Sequence, residues 1–250
     1  MSFYKTYLES LWFNYIESSD NIALRLTLLM CVWHEIVTIP RILPYIAIDF
    51  IPWFKQFKIQ QAKTTSKADY WTLIKHSFVS RLFSGIIYPV TVALNFSTKS
   101  VFPEVSEIIL SLIFFVVVQD FLYYFMHRAL HWGPLYKHIH KKHHEFTHSN
   151  VLVSEYSTTA EALCVAFEFF FGPAVLSYFR GMHVIQLLLW FAVRIIQSID
   201  CHSGYDFPWS LHHYIPVWAG AEFHDYHHSA FVGNYGSFFR FWYIVINIDM

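Results

Sequence analysis

Charged residues are scarce. Asp, Glu, Lys and Arg make up 14% of the 250 residues, where soluble domains sit near about a quarter. Such a chain lacks the polar surface to cover itself in water, so a bilayer is expected to solvate part of it. Basic excess is missing too. Seventeen Lys and Arg against 18 Asp and Glu leave a formal net charge of −1, and no nucleic-acid partner is expected. The three cysteines, Cys31, Cys164 and Cys201, form neither a CxxC pair nor a disulfide framework. That pattern suits loops facing a reducing compartment. Residues 1–15 lack the basic start, apolar run and small-residue cleavage site of a signal peptide. Insertion into a membrane is therefore expected to rest on later segments. No repeat at a fixed period stands out. Alternating segments bounded by turns are lacking. One mostly helical domain over residues 1–250 is the expectation.

Apolar residues are abundant, at 55%, and aromatics reach 20%. A spanning helix needs about 20 mostly apolar residues. Residues 108–126 fit best, with Asp120 their only charge. Residues 162–179, carrying Glu168, and 184–199, carrying Arg194, read as a helical hairpin. Residues 82–96 are uncharged but short and hold Gly85 and Pro89, which suggests a kinked span or a re-entrant piece. Residues 26–51 hold Glu35, Arg41, Asp49, Pro40 and Pro44, and read as a bent hairpin or interfacial segment. About four spans are expected in all. The stretches 55–68 and 137–144 are basic, which places them on the cytosolic side.

The chain has 16 histidines, most of them within 127–148 and 202–228. Three short patterns stand out: His127-Arg-Ala-Leu-His131, His140-Lys-Lys-His143-His144 and His224-Asp-Tyr-His227-His228. Residues three and four apart share a helix face, so the rings of each box are expected to converge. Imidazole binds Fe, Zn, Cu and Ni. Eight such rings exceed what one four-coordinate zinc uses, so two metal ions are the economical reading. Asp120, Tyr124, His127 and His131 form one helical stripe at the end of the first clear span. Asp120 is read either as an acceptor for a ligand imidazole or as an anchor for its helix. His34, His76, His138, His148 and His183 are isolated, and His212-His213 is a loop pair; these read as ordinary surface or core histidines. Trp132, Trp190, Trp209 and Trp218 are candidates to line a substrate slot or to anchor at the membrane interface.

At these residues the sequence resembles the fatty acid hydroxylase/sterol desaturase superfamily, most of all its sterol C4-methyl monooxygenases. The likeness rests on HRALH at 127, HKKHHEF at 140, SEY at 154, HSGYDFPWS at 202, GAEFHDYHH at 220 and GNYGS at 233. It is specific from about Asp120 to Ser237, and thinner before, where His34-Glu35 and the KIQ at 58 carry it. The resemblance implies an all-α, multi-pass protein of the endoplasmic reticulum membrane with a cytosolic histidine-rich cap. It implies two non-haem irons, O2 as oxidant, and NAD(P)H-derived electrons through cytochrome b5 or its reductase. The implied reaction is stepwise oxidation of a C4 methyl on a sterol precursor, alongside other C4-demethylation enzymes. Carried onto this chain, the ligands are His127, His131, His140, His143, His144, His224, His227 and His228. His202, opening HSGYDFPW, matches a further family histidine.

Two departures stand out. The family follows its SEY-like motif with Ala-His-Pro, where this chain has Ser157-Thr158-Thr159. Its closing Gly-Thr-Asp pattern is replaced within residues 243–249. The boxes do not separate a sterol C4 oxidase from other hydroxylases or desaturases of the superfamily. A non-catalytic scaffold and a metal transporter are the readings from other classes. Transporters hold their ligands at mid-membrane, whereas these boxes flank span ends beside Lys137, Lys141 and Lys142.

Overall fold

The computed structural model describes residues 3–87 and 96–242. Seven helices of ten or more residues order them: α1 Phe3–Trp12, α2 Ile22–Asp49, α3 Lys67–Ile87, α4 Val105–Leu130, α5 Thr159–Arg180, α6 Val184–Cys201 and α7 Gly220–Ala230. Among the described residues β pairing is limited to three isolated bridges.

Four helices, α2, α4, α5 and α6, are long and apolar enough to cross a membrane. Their outward faces are greasy. On α2, Leu24, Leu28, Val32, Ile36, Ile39 and Leu43 recur every three or four residues and are 43–56% exposed. In water such a stripe would be costly; in lipid it is solvated. α4 packs along α5, and α2 along α6. Gly172 of α5 permits the close approach to α4, since a Cβ there would lie 3.3 Å from the Phe115 ring.

Helix α2 corrects the expectation of a bent hairpin or interfacial piece over residues 26–51. It runs unbroken through Pro40 and Pro44. The charges that argued against a span all find partners on other elements. Glu35 pairs with Arg81 at 2.6 Å, Arg41 with Asp200, and Asp49 with Lys58 at 2.8 Å. Paired charges facing protein do not break a span. The 162–199 hairpin is present as α5 and α6. Of the expected 82–96 piece, residues 82–87 close α3; residues 88–95 lie outside the described residues, as do 243–249.

Asp120 settles into one of its two expected roles. Its Oδ1 accepts from the Phe238 and Phe239 amides at 2.7 and 3.1 Å, and Oδ2 from the Trp242 indole at 2.8 Å. The carboxylate therefore fastens the C-terminal segment to α4 and touches no box imidazole through these bonds. The same segment supplies Tyr235, whose carbonyl meets His127.

Candidate metal centre

All nine sequence-chosen histidines come together. They form two adjoining groups, each with its donor atoms within 4.8 Å of one another. The first holds His127, His131, His140, His144 and His227; the second holds His143, His202, His224 and His228. His127 lies in the last turn of α4, and His131 caps it. His202 caps the C-terminus of α6. The third box lies on α7.

The expectation that each box converges on one side needs correction. Each HxxHH box divides between the groups. On α7, His224 and His228 share a face, while His227 sits about 100° of helical rotation from His228 and joins the other group. The second box divides alike: His140 and His144 go together, and His143 goes apart. Here the backbone is irregular, a π turn over Tyr136–His140 followed by a 3-10 turn over His143–Glu145.

The hydrogen bonds fix which ring nitrogen faces inward. The Nδ1 atoms of His127, His143, His202, His227 and His228 meet the carbonyls of Tyr235, Tyr156, Ser198, Gly233 and Phe146 at 2.7–3.2 Å. A carbonyl only accepts, so each Nδ1–H donates and each neutral ring turns an Nε2 lone pair inward. His140 does the same through Glu161, with Nδ1 and Oε1 2.8 Å apart. Yet within each group Nε2 meets Nε2: His127 to His140 at 3.1 Å in the first, and His143 to His202 at 3.3 Å in the second. Lone pairs at that separation repel unless a cation lies between them. Protons are poor candidates for that cation. Burial pushes His131 and His143 down to about 4 and His227 to about 3. The donor set fits a d-block ion in each group, with nearby carbonyls and one carboxylate holding the rings.

A cavity of about 270 Å³ opens onto this centre. Two rings of each group line it, His127 and His140 of the first, His143 and His202 of the second. From there it runs between the spanning helices, past Val165, Phe169, Phe170 and Phe191. The four tryptophans, candidates for a slot or for interface anchoring, do not line it. Trp190 is fully buried among Phe115, Phe169 and Phe238, where its indole donates to the Phe169 carbonyl. Trp132 and Trp209 are exposed, and Trp218 packs on Phe238 and Phe239.

Sequence reasoning missed several polar residues. Glu161, Glu168, Arg194 and Tyr123 all line the cavity. Glu168 and Arg194 were visible as charges inside apolar runs, a standing sign of function. Glu161 stands one residue ahead of such a run and left no comparable sign. The second box is also braced from outside. Asp225, inside the third box, accepts from the Ser149 amide at 3.0 Å and from Gln60 at 2.8 Å. Gln60 is the last residue of the KIQ run. Thr158 caps α5: its Oγ1 accepts from the Glu161 amide at 3.2 Å and donates to the Ile139 carbonyl at 2.8 Å. Of the isolated histidines, His183 caps α6, accepting from the Ile185 amide. His34 pairs with Glu35 and lines the cavity.

The sequence profile of the fatty acid hydroxylase family matches residues 112–247. Methylsterol monooxygenase erg25B of Aspergillus fumigatus is 38% identical over 97% of this chain and 84% of its own. The C-4 methylsterol oxidase erg25 of Schizosaccharomyces pombe is 34% identical over 97% and 83%. A very-long-chain aldehyde decarbonylase, GL1-11 of Oryza sativa subsp. indica, is 33% identical over 93% and 88%. No solved structure matches. The matched region holds all nine gathered histidines, and the chain belongs to the fatty acid hydroxylase family, with methylsterol monooxygenases among its relatives.

Proposed function

We propose that this chain is a membrane-bound methylsterol monooxygenase, a single domain over residues 1–250 that oxidises C4-methyl groups of sterol precursors. Its substrates are O2, a 4-methyl sterol and NAD(P)H-derived electrons, the last delivered by cytochrome b5 or its reductase. His127, His131, His140, His144 and His227 hold one iron, and His143, His202, His224 and His228 the other. The protein resides in the endoplasmic reticulum membrane with the histidine groups toward the cytosol. The observation that carries this reading is the gathering of nine imidazoles into a five and a four beside a cavity between spanning helices.

Bound iron supplies the redox chemistry that attacks an unactivated C–H bond, which side-chain acid–base work does not reach. The chain's residues do the rest. Backbone carbonyls orient the rings. Phe169, Phe170 and Phe191 keep the cavity apolar and exclude water from the reacting carbon. Glu161, with one oxygen on His140 and the other without a partner, is placed to hold a proton at the cavity wall. An apolar sterol reaches the cavity from the bilayer, between the helices.

Sterol profiles of cells lacking this protein test the reading, together with conversion assays on iron-loaded protein. Accumulated 4-methyl or 4,4-dimethyl sterols are expected, and purified protein should carry close to two irons. Replacing His140 or His224 should remove one iron each. An unchanged sterol profile, with iron-loaded protein inert toward every 4-methyl sterol, would refute the substrate. The rice relative's name favours one second reading, an enzyme acting on long-chain aldehydes; a shifted aldehyde or hydrocarbon profile would support it.

A further inference from the structure

A third group of metal-type donors lies outside the two histidine groups. We propose that Asp206, His212 and His213 form a separate surface site for a divalent d-block cation of the Zn²⁺ type. Their donor atoms lie within 4.8 Å of one another. Asp206 Oδ1 is 3.1 Å from His212 Nε2 and 2.8 Å from His213 Nε2. One carboxylate oxygen and two imidazole nitrogens are a donor set that zinc accepts, with a fourth position left for water.

The bland alternative is a surface cluster held by ordinary hydrogen bonds. It accounts for His213, which is partly exposed and meets Asp206 in good geometry. It does not account for His212. That side chain is 5% exposed, and its Nε2 is buried without a hydrogen-bond partner although the carboxylate stands beside it. If Nε2 carries a proton, a buried donor is left unsatisfied; if not, a lone pair faces an anion. Either costs free energy. A cation among the three atoms removes both difficulties.

The ring is also seated rather than loose. Gly220 has φ +59°, and a Cβ there would lie 2.3 Å from His212 Nδ1. The first residue of α7 is therefore shaped to admit this imidazole. The segment carrying the site joins His202 to the helix of His224, His227 and His228. A bound ion would tie Asp206 to His212 and His213 within that segment, beside α7, and stabilise the fold by binding it in preference to the unfolded chain. Its role is to steady the frame of the third box, while His213 leaves it open to solvent.

The test uses iron-loaded protein titrated with Zn²⁺, with iron and zinc counted per chain and melting followed in parallel. Wild-type protein is expected to take up one zinc while keeping its iron, and to melt at a higher temperature. His213→Gln and Asp206→Asn should each abolish both effects and leave iron content unchanged. Both side chains are partly exposed, so neither change is expected to unfold the chain. Zinc uptake matched by iron release, or undiminished in both variants, would overturn the site, as would no uptake by wild-type protein.

Discussion

Glu161 Oε1 lies 2.8 Å from His140 Nδ1, and Glu161 Oε2 is buried with no hydrogen-bond partner. His140 leans on a carboxylate, whereas His127, His143, His202, His227 and His228 lean on carbonyls. With a metal cation at Nε2, an ionised Glu161 would raise the basicity of that nitrogen. Glu161→Gln keeps an acceptor for the ring but removes the ionisable carboxyl. Metal affinity should fall by about 10–100-fold, as read by competition against a chelator. Excess iron then separates two roles. Full recovery of turnover would assign Glu161 to positioning alone, whereas a rate still depressed at full metal content would assign the free oxygen to proton handling.

The histidine groups set a pH dependence. His131 and His143 are pushed down to about 4 and His227 to about 3, with burial the leading cause. In the unfolded chain the same rings titrate near about 6.5. Between those values the unfolded chain binds more protons than the folded one, so stability rises with pH across that window. Metal-free protein should therefore be fully stabilised above about 6.5 and lose stability as pH falls toward about 4. Melting curves in detergent between those limits check the slope. Alanine at His143 should flatten it.

Much of this centre was legible in the sequence because its parts are local. The HxxxH and HxxHH spacings place rings on helix faces without help from distant residues, and His202 was reached through its motif. The division of each box into two groups was not legible, although 3.6 residues per turn requires it once two ions share the rings. Long-range partners were invisible. Nothing near Glu35, Arg41 or Asp49 announces Arg81, Asp200 or Lys58, so α2 read as broken when its charges are paired. The tryptophans misled for a related reason: composition suggests a slot, but only packing places Trp190 in the core and Phe191 on the cavity.

Asp225 links three segments of chain. It accepts from the buried Ser149 amide beside the second box and from Gln60 of the segment between α2 and α3, while sitting between His224 and His227. Asp225→Ala leaves the Ser149 N–H unsatisfied, at about 1–3 kcal/mol. The loss should appear as a lower denaturant midpoint and weaker metal retention together. Gln60→Ala removes the outer contact to Asp225 and a bond to the Thr147 carbonyl but leaves the Ser149 amide satisfied, so it should lower the midpoint less and leave metal content nearly intact. Equal effects of the two variants would show that the brace works through Gln60 rather than through Ser149.

Thr158 occupies the position where the family pattern has histidine, and its hydroxyl is already committed. It caps α5 through the Glu161 amide and ties that helix start to the Ile139 carbonyl, one residue before His140. Losing an N-cap threonine costs about 1 kcal/mol. Thr158→Ala should therefore destabilise by that order and also loosen the Glu161–His140 contact, since both residues hang from the same cap. Thr158→His restores the family residue but removes the hydroxyl that bridges the two elements. With five imidazoles in one group and four in the other, no ring is missing for two ions. The histidine variant is expected to bind the same number of irons as wild-type protein and to melt below it. Elemental analysis beside a melting curve checks both halves. A gain in iron content or affinity would show that the threonine had cost this chain a ligand.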